Sequence, residues 1–338
     1  MTPSLRRALA VALLPLLLAG AFRPAMADKP DDRLRRLGDE FLSRWLARNP
    51  AEATRLGAHT LDTAPLPVSR TSLAEDAAWA HDFAARLDSL PAPGLTRPAA
   101  LDRALLAARV ERWRLDLEVL RPYERDPGAY LALIAGSVES VLERPFAPAC
   151  ARLELAARRL AQVPEVLRAA RINLRDVPRE RTEIAIERYA AVLRFYRAGL
   201  PALTIACRDA RTQADLAQAD TAAVRATEDF LRYLREDLLP ASTGPLAVGP
   251  EACARLIGLE RLDDPLGKGR TAVPPADSLL ARARTVVEER RAALDSLAAA
   301  SRADGTRAAL EALATERPDA NDFVPYMDRR LESVRDFL

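Results

Sequence analysis

Between Leu34 and Leu46 the apolar side chains fall at Leu34, Leu37, Phe41, Trp45 and Leu46, with Arg, Asp and Glu between them. That spacing puts one apolar stripe on one face of a 3.6-residue helix. The pattern recurs along the chain, repeatedly cut by proline, and no stretch shows sustained period-two alternation. Asn49-Pro50 ends the first helix, because a residue before proline is pushed out of the α region. A second short helix runs from Pro50 to Gly57, with proline first and glycine last. Leu101–Leu120 carries Leu105, Leu106, Val110, Trp113, Leu117 and Leu120 and stops at Arg121-Pro122. Tyr130–Leu142 is apolar on most sides and reads as a helix buried in a bundle. Leu153–Val163, Pro164–Leu174 and Thr182–Leu200 continue the theme. Asp220 is read as the N-cap of a helix that Pro240 stops, and Leu279–Leu297 holds a clean late helix. Met327–Leu338 is amphipathic and reaches the last residue without a Gly, Asn or Pro stop signal. The expectation is an all-α multi-helix array or bundle, with at most a short extended segment at 244–249. No self-similar motif of solenoid length is present.

The N-terminus reads as an export signal. Arg6 and Arg7 precede an apolar run from Ala8 to Phe22, and Ala25-Met26-Ala27 is a small-residue cleavage site. Cleavage after Ala27 would leave a periplasmic or secreted protein with no stable membrane anchor. The run is about 15 residues, short of the roughly 20 needed to span a bilayer. Removing Arg6, Arg7 and Arg23 leaves 47 cationic side chains against 48 acidic ones, so the chain has no electrostatic footprint for nucleic acid. Nearly all the cations are arginine, with lysine only at Lys29 and Lys268. The expected organisation is a signal at 1–27, an N-terminal helical region at 28–239, a Pro/Gly-rich connection at 240–275, and C-terminal helices at 276–338 that look truncated. In that case Leu331, Val334, Phe337 and Leu338 would present an unpartnered apolar face, which promotes association.

Chemistry-bearing motifs are sparse. Cys150, Cys207 and Cys253 are far apart, with no metal-ligand spacing. Two could pair in an exported protein, but the apolar run before Cys207 favours a small buried side chain there. His59 follows a helix end, where capping is the expected role, and His81 lies on a mixed helix. They are 22 positions apart and do not supply the three protein ligands of a catalytic zinc. Ser137 lies in an apolar run without a nucleophile-elbow motif. Gly267-Lys268-Gly269-Arg270 lacks phosphate-loop spacing. Asp263-Asp264 and Glu288-Glu289 read as solvated charge. No catalytic, cofactor-binding or metal-ligating residue is therefore assigned.

The order of local motifs resembles one family. Phe41-Leu42-x-x-Trp45-Leu46 is followed by Asn49-Pro50-x-x-Ala53-Thr54-x-Leu56-Gly57-x-His59-x-x-Asp62, then Arg121-Pro122-Tyr123-Glu124-Arg125-Asp126-Pro127-x-x-Tyr130-Leu131. Phe146-Ala147-Pro148, Asn173-Leu174, Thr182-Glu183-x-Ala185-Ile186-Glu187 and Tyr233-Leu234 with Leu238-Leu239-Pro240 follow in sequence. This order resembles the bacterial DUF885 proteins. The resemblance implies a mostly helical fold like that of zinc-dependent peptidases, with a His-Glu-Gly-x-Pro-Gly-His motif beyond the stretch seen here. No residue of this chain matches that motif, so no zinc ligand or general base carries over; zinc is implied only for a complete family member, as is a peptide substrate. The reading is the N-terminal helical portion of an exported metallopeptidase-like protein, inactive alone. The alternatives are a non-catalytic envelope binding or scaffold protein and, more remotely, a helical enzyme using His59.

Overall fold

Prolines set the rhythm of the backbone. The computed structural model describes residues 29–90, 93–260, 275–300, 304–315, 318–319 and 321–337. The stretch read as an export signal, Asp263-Asp264, Gly267-Lys268-Gly269-Arg270 and Leu338 lie outside the described residues. The chain divides into two compact units, Met1–Thr271 and Ala272–Leu338. Among the described residues there is no strand, and 244–249 is irregular rather than paired.

In the first unit, α1 (Pro30–Arg48) begins on proline with Asp31 and Asp32 in its first turn, where carboxylates favour the helix dipole. It stops at Asn49, and α2 (Pro50–Arg55) restarts on Pro50. There follow α3 (Arg70–Asp88), capped by the Ser69 hydroxyl accepting from the Ser72 N–H, and α4 (Arg97–Leu115), capped in the same way by Thr96. A one-turn helix α5 (Pro122–Arg125) leads into α6 (Pro127–Leu142). Next come α7 (Ala149–Leu160), α8 (Val163–Asn173), α9 (Arg179–Arg194), α10 (Ala210–Tyr233) and α11 (Pro250–Glu260). Asp220 does not cap a helix: it lies inside α10, whose N-cap is Asp209, accepting from the Thr212 N–H at 2.7 Å.

Three helices do not stop at a proline but widen before it. Asp116–Leu120, Phe195–Gly199 and Leu234–Leu238 are π turns, and they precede Pro122, Pro201 and Pro240. In each, the residue just before proline donates its N–H five residues back: Arg121 to Asp116, Leu200 to Phe195, Leu239 to Leu234. Proline lacks an N–H and its ring collides with the carbonyl four residues earlier in a regular helix. The wider turn moves that carbonyl aside and keeps the chain coiled. At the first, Arg121 takes up a left-handed conformation, φ 45°, that redirects the chain into α5. At the second, Gly199 lets the Phe195 ring lie close to the backbone, since a Cβ there would meet that ring at 2.6 Å and push it aside.

Two apolar clusters form the interior of this unit. The smaller joins α1, α3 and α4 through Leu34, Phe83, Leu87, Leu90, Ala99 and Val110. The larger is built around α6 to α10, with Tyr130, Ile134, Val138, Leu160, Tyr189 and Phe230 fully buried. The buried face of α6 matches the all-round apolar sequence of Tyr130–Leu142. Asn173 is one buried polar group satisfied across it, donating to the Val68 carbonyl at 2.7 Å and to the Tyr130 hydroxyl at 2.9 Å. Gly244 docks where a Cβ would lie 1.9 Å from the Asp176 carbonyl oxygen, and its N–H donates to Val177 at 3.0 Å.

The second unit comprises α12 (Ala276–Ala300), α13 (Gly305–Thr315) and α14 (Phe323–Phe337). Its only buried side chain among the described residues is Ala298; Leu331, Val334 and Phe337 are exposed. No described helix is long and apolar enough to cross a membrane.

Cys207 is buried, as its apolar neighbours suggest, but it does not act as a simple small hydrophobe: it is disulfide-bonded to Cys150, leaving Cys253 free. The bond ties the start of α7 to the segment before α10, closing a loop across 57 positions. A loop of that length removes about 4 kcal/mol of unfolded-chain entropy. We expect Cys150→Ser with Cys207→Ser, or reduction of the native bond, to lower stability by about 3–4 kcal/mol in denaturant unfolding. One reactive thiol per chain should titrate without reductant; three would show the pair unformed.

Candidate functional site

Between the two apolar clusters of the first unit lies a cavity of about 630 Å³. Three helices turn one face each toward it. From α1 come Phe41, Trp45 and Arg48, at the spacing that stacks side chains on one helix face. From α4 come Arg109, Arg112 and Trp113, and from α3 Leu73 and Asp76. The wide turn supplies Asp116 and Leu117, and the redirected chain after it supplies Arg121, Tyr123 and Glu124. Without the widening before Pro122, these last residues would not face α1.

An aromatic block supports the walls. Phe41 meets Trp113 edge-on at 5.9 Å, and Trp79 lies 5.4 Å from Trp113 and 4.8 Å from Phe83. The guanidinium of Arg44 lies 5.7 Å from the Trp79 ring centre. All three tryptophans of the chain are thus at or directly behind this cavity.

The polar lining is a set of occupied ion pairs. Asp76 Oδ1 accepts from Arg48 Nε at 2.6 Å and Arg44 Nη2 at 3.0 Å, stitching α3 to α1. Arg112 Nε lies 3.1 Å from both Asp116 oxygens. Glu124 accepts from Arg175 at 2.6 and 3.0 Å and from Arg121 at 2.8 Å. Burial pushes the carboxyls of Asp76 and Asp116 above their ordinary range, outweighing the arginines beside them. Burial, with Asp76 and Asp116 nearby, likewise raises the Tyr123 phenol, so it stays a protonated donor. Among the hydroxyl and guanidinium donors of the lining, the Tyr123 hydroxyl and the Arg109 guanidinium have no hydrogen-bond or ion-pair partner among the described residues.

The histidines are held in separate networks. The three-residue turn His59–Leu61 aligns positions three apart, so His59 Nδ1 meets Asp62 Oδ2 at 3.1 Å. His59 is thus paired with an acidic side chain rather than capping helix carbonyls. Asp62 also accepts from Thr54 at 2.6 Å, and the His59 ring stacks on Phe146 at 4.0 Å. Beneath it the fully buried Arg159 donates Nη2 to the Leu61 carbonyl at 3.2 Å, while its Nε and Nη1 find no acceptor among the described residues. His81 Nε2 lies 2.6 Å from Glu118. One imidazole and one carboxylate at each place do not amount to a catalytic zinc donor set, and no three His, Cys, Asp or Glu converge among the described residues. Ser137 is buried and donates to the Ile134 carbonyl at 2.8 Å. The cavity residues were not singled out from sequence, because Phe41, Trp45 and Trp113 read as core. The overlooked signal is that Arg48 prolongs the Phe41/Trp45 face, and Arg109 and Asp116 prolong that of Trp113.

Removing the shared carboxylate should loosen the cavity. We expect Asp76→Asn to cost about 2–4 kcal/mol, since it leaves two guanidinium groups without their anion in a half-buried seam. Urea unfolding measures this; an unchanged midpoint would show that the pair contributes nothing.

Comparison with known proteins comes to the same architecture. A solved structure from Shewanella oneidensis, provisionally described as a lipoprotein of unknown function, superposes with a TM-score of 0.63 at 18% sequence identity. The match covers 90% of this chain and 57% of that one, so this chain spans little more than half the neighbour's length; at such identity the likeness is one of fold. No curated protein sequence matches significantly. The family model for bacterial proteins of unknown function, DUF885, matches residues 50–338, and the chain belongs to that family.

Proposed function

We propose that this chain is the helical, substrate-contacting portion of an exported DUF885-type zinc-dependent peptidase, and that it holds no metal of its own. One observation carries the reading: a cavity of about 630 Å³ walled by aromatic side chains and fixed arginine–carboxylate pairs. Cavities of this size with an apolar body and a few placed polar groups suit short organic ligands. A peptide offers both apolar side chains and charged ends. The motif order resembles DUF885 proteins, and the zinc-dependent-peptidase-like fold that this resemblance implies supports the reaction class, while the lipoprotein description of the structural neighbour supports a place in the cell envelope. Zinc, when bound by a complete family member, would polarise the scissile carbonyl and activate water. On this chain the residues at His59 and His81 do not fit it, and no step is assigned to them.

A second reading, a non-catalytic envelope scaffold, draws on the exposed apolar residues of α13 and α14, among them Leu310, Leu313, Leu331, Val334 and Phe337. Such faces mark association surfaces.

Metal analysis and peptide hydrolysis by the purified chain test the first reading. The expectation is no stoichiometric zinc after dialysis and no cleavage of a mixed peptide pool, with saturable perturbation of tryptophan fluorescence by the same peptides. One tightly held zinc per chain, or cleavage that a chelator abolishes, would overturn it. Self-association without any peptide effect on fluorescence would favour the scaffold.

A further inference from the structure

Taking the cavity as a peptide site, we infer that it recognises a free C-terminal carboxylate, with Arg109 as the anchoring cation and the adjoining apolar side chain of the peptide seated on Trp45 and Trp113. The inference rests on the peptide-binding reading above and adds which part of a peptide enters.

The charge pattern selects the ligand. Four arginines, Arg48, Arg109, Arg112 and Arg121, line the cavity against three carboxylates, Asp76, Asp116 and Glu124. Each carboxylate is already engaged: Asp76 by Arg44 and Arg48, Asp116 by Arg112, Glu124 by Arg121 and Arg175. A cationic ligand would have to break one of these pairs, whereas an anion meets a guanidinium with free capacity. Arg109 is that group. It is exposed and without an ion-pair partner among the described residues, and it lies four residues before Trp113 on the same face of α4. A planar guanidinium matches a carboxylate through two parallel hydrogen bonds. The Tyr123 hydroxyl, whose phenol burial holds above its ordinary range, is a further donor without a partner among the described residues and suits one carboxylate oxygen. Arg112, three residues from Arg109, is occupied by Asp116 and is not needed for the anion. The aromatic walls exclude a ligand that is only an ion, because they offer nothing to a fully hydrated phosphate. An amphipathic anion with an adjoining apolar side chain uses both surfaces.

The test uses the purified chain and the tripeptide alanyl-alanyl-phenylalanine as free acid and as C-terminal amide, followed by tryptophan fluorescence and calorimetry. The free acid should bind about 10- to 100-fold more tightly than the amide, the range expected for one charge-assisted hydrogen-bonded contact. Arg109→Gln should reduce free-acid affinity to that of the amide and leave amide affinity unchanged; because Arg109 is exposed and has no partner among the described residues, circular dichroism should not change. Tyr123→Phe should weaken the free acid alone, by a smaller factor. Equal binding of acid and amide, or Arg109→Gln without effect, would overturn the inference while leaving peptide binding intact. Dodecanoate displacing the tripeptide with higher affinity would overturn it in favour of a fatty-acid site, and inorganic phosphate doing so would overturn it in favour of a bare anion site. If neither peptide perturbs the tryptophans, the peptide-binding reading itself fails and the carboxylate inference falls with it.

Discussion

Everything at the cavity depends on how the chain meets Pro122. A regular helix running into a proline must give up a hydrogen bond and avoid a clash with the carbonyl four residues back. Here the backbone widens by one residue over Asp116–Leu120, closes on the 2.8 Å bond from Arg121 to Asp116, and turns at a left-handed Arg121. That conformation costs on the order of 1 kcal/mol for a non-glycine residue. The Arg121–Glu124 ion pair and the packing of Tyr123 against Tyr130 at 5.3 Å hold it in place. The same device recurs before Pro201 and Pro240, where it packs one side against the larger core through Tyr196, Leu200, Leu234 and Leu238. Before Pro122 it opens onto the cavity, where the widened turn places charged and aromatic side chains on one wall.

The helical character was legible in sequence because apolar period is a local property. The Phe41/Trp45 stripe, the buried face of Tyr130–Leu142 and the restart at Pro50 all follow from residues within a few positions of one another. The π turns were not legible. Arg121-Pro122 and Pro240 carry the usual sign of a helix stop, and whether a chain stops or widens is decided by what its next turn packs against. Asp220 failed as a cap for a related reason: an acidic residue inside α10 is locally indistinguishable from one at its start, and the true cap, Asp209, was not singled out in sequence. The Cys150–Cys207 pairing joins residues 57 positions apart, which spacing alone does not determine.

The candidate site was hidden for a different reason. Aromatic residues at helical spacing look the same whether their stripe ends in a core or in a cavity. What separates the two is the arginine that prolongs the stripe, Arg48 after Trp45 and Arg109 before Trp113. The network of Asp62, Thr54 and His59 was equally invisible, because it depends on a three-residue turn that aligns His59 with Asp62. The histidines, which attract attention in sequence, are each committed to one carboxylate, whereas the cavity's capacity for a ligand lies with an arginine and a tyrosine.

Family membership places the chain among bacterial proteins of unknown function, and the proposed ligand site is the cavity at the seam of two apolar clusters. The most direct measurement is an NMR titration of the three indole N–H signals with a short peptide. The account predicts that Trp45 and Trp113 shift first and in saturable fashion, with Trp79 following because its ring packs against Trp113. Peptide that binds while all three indole signals stay fixed would contradict it.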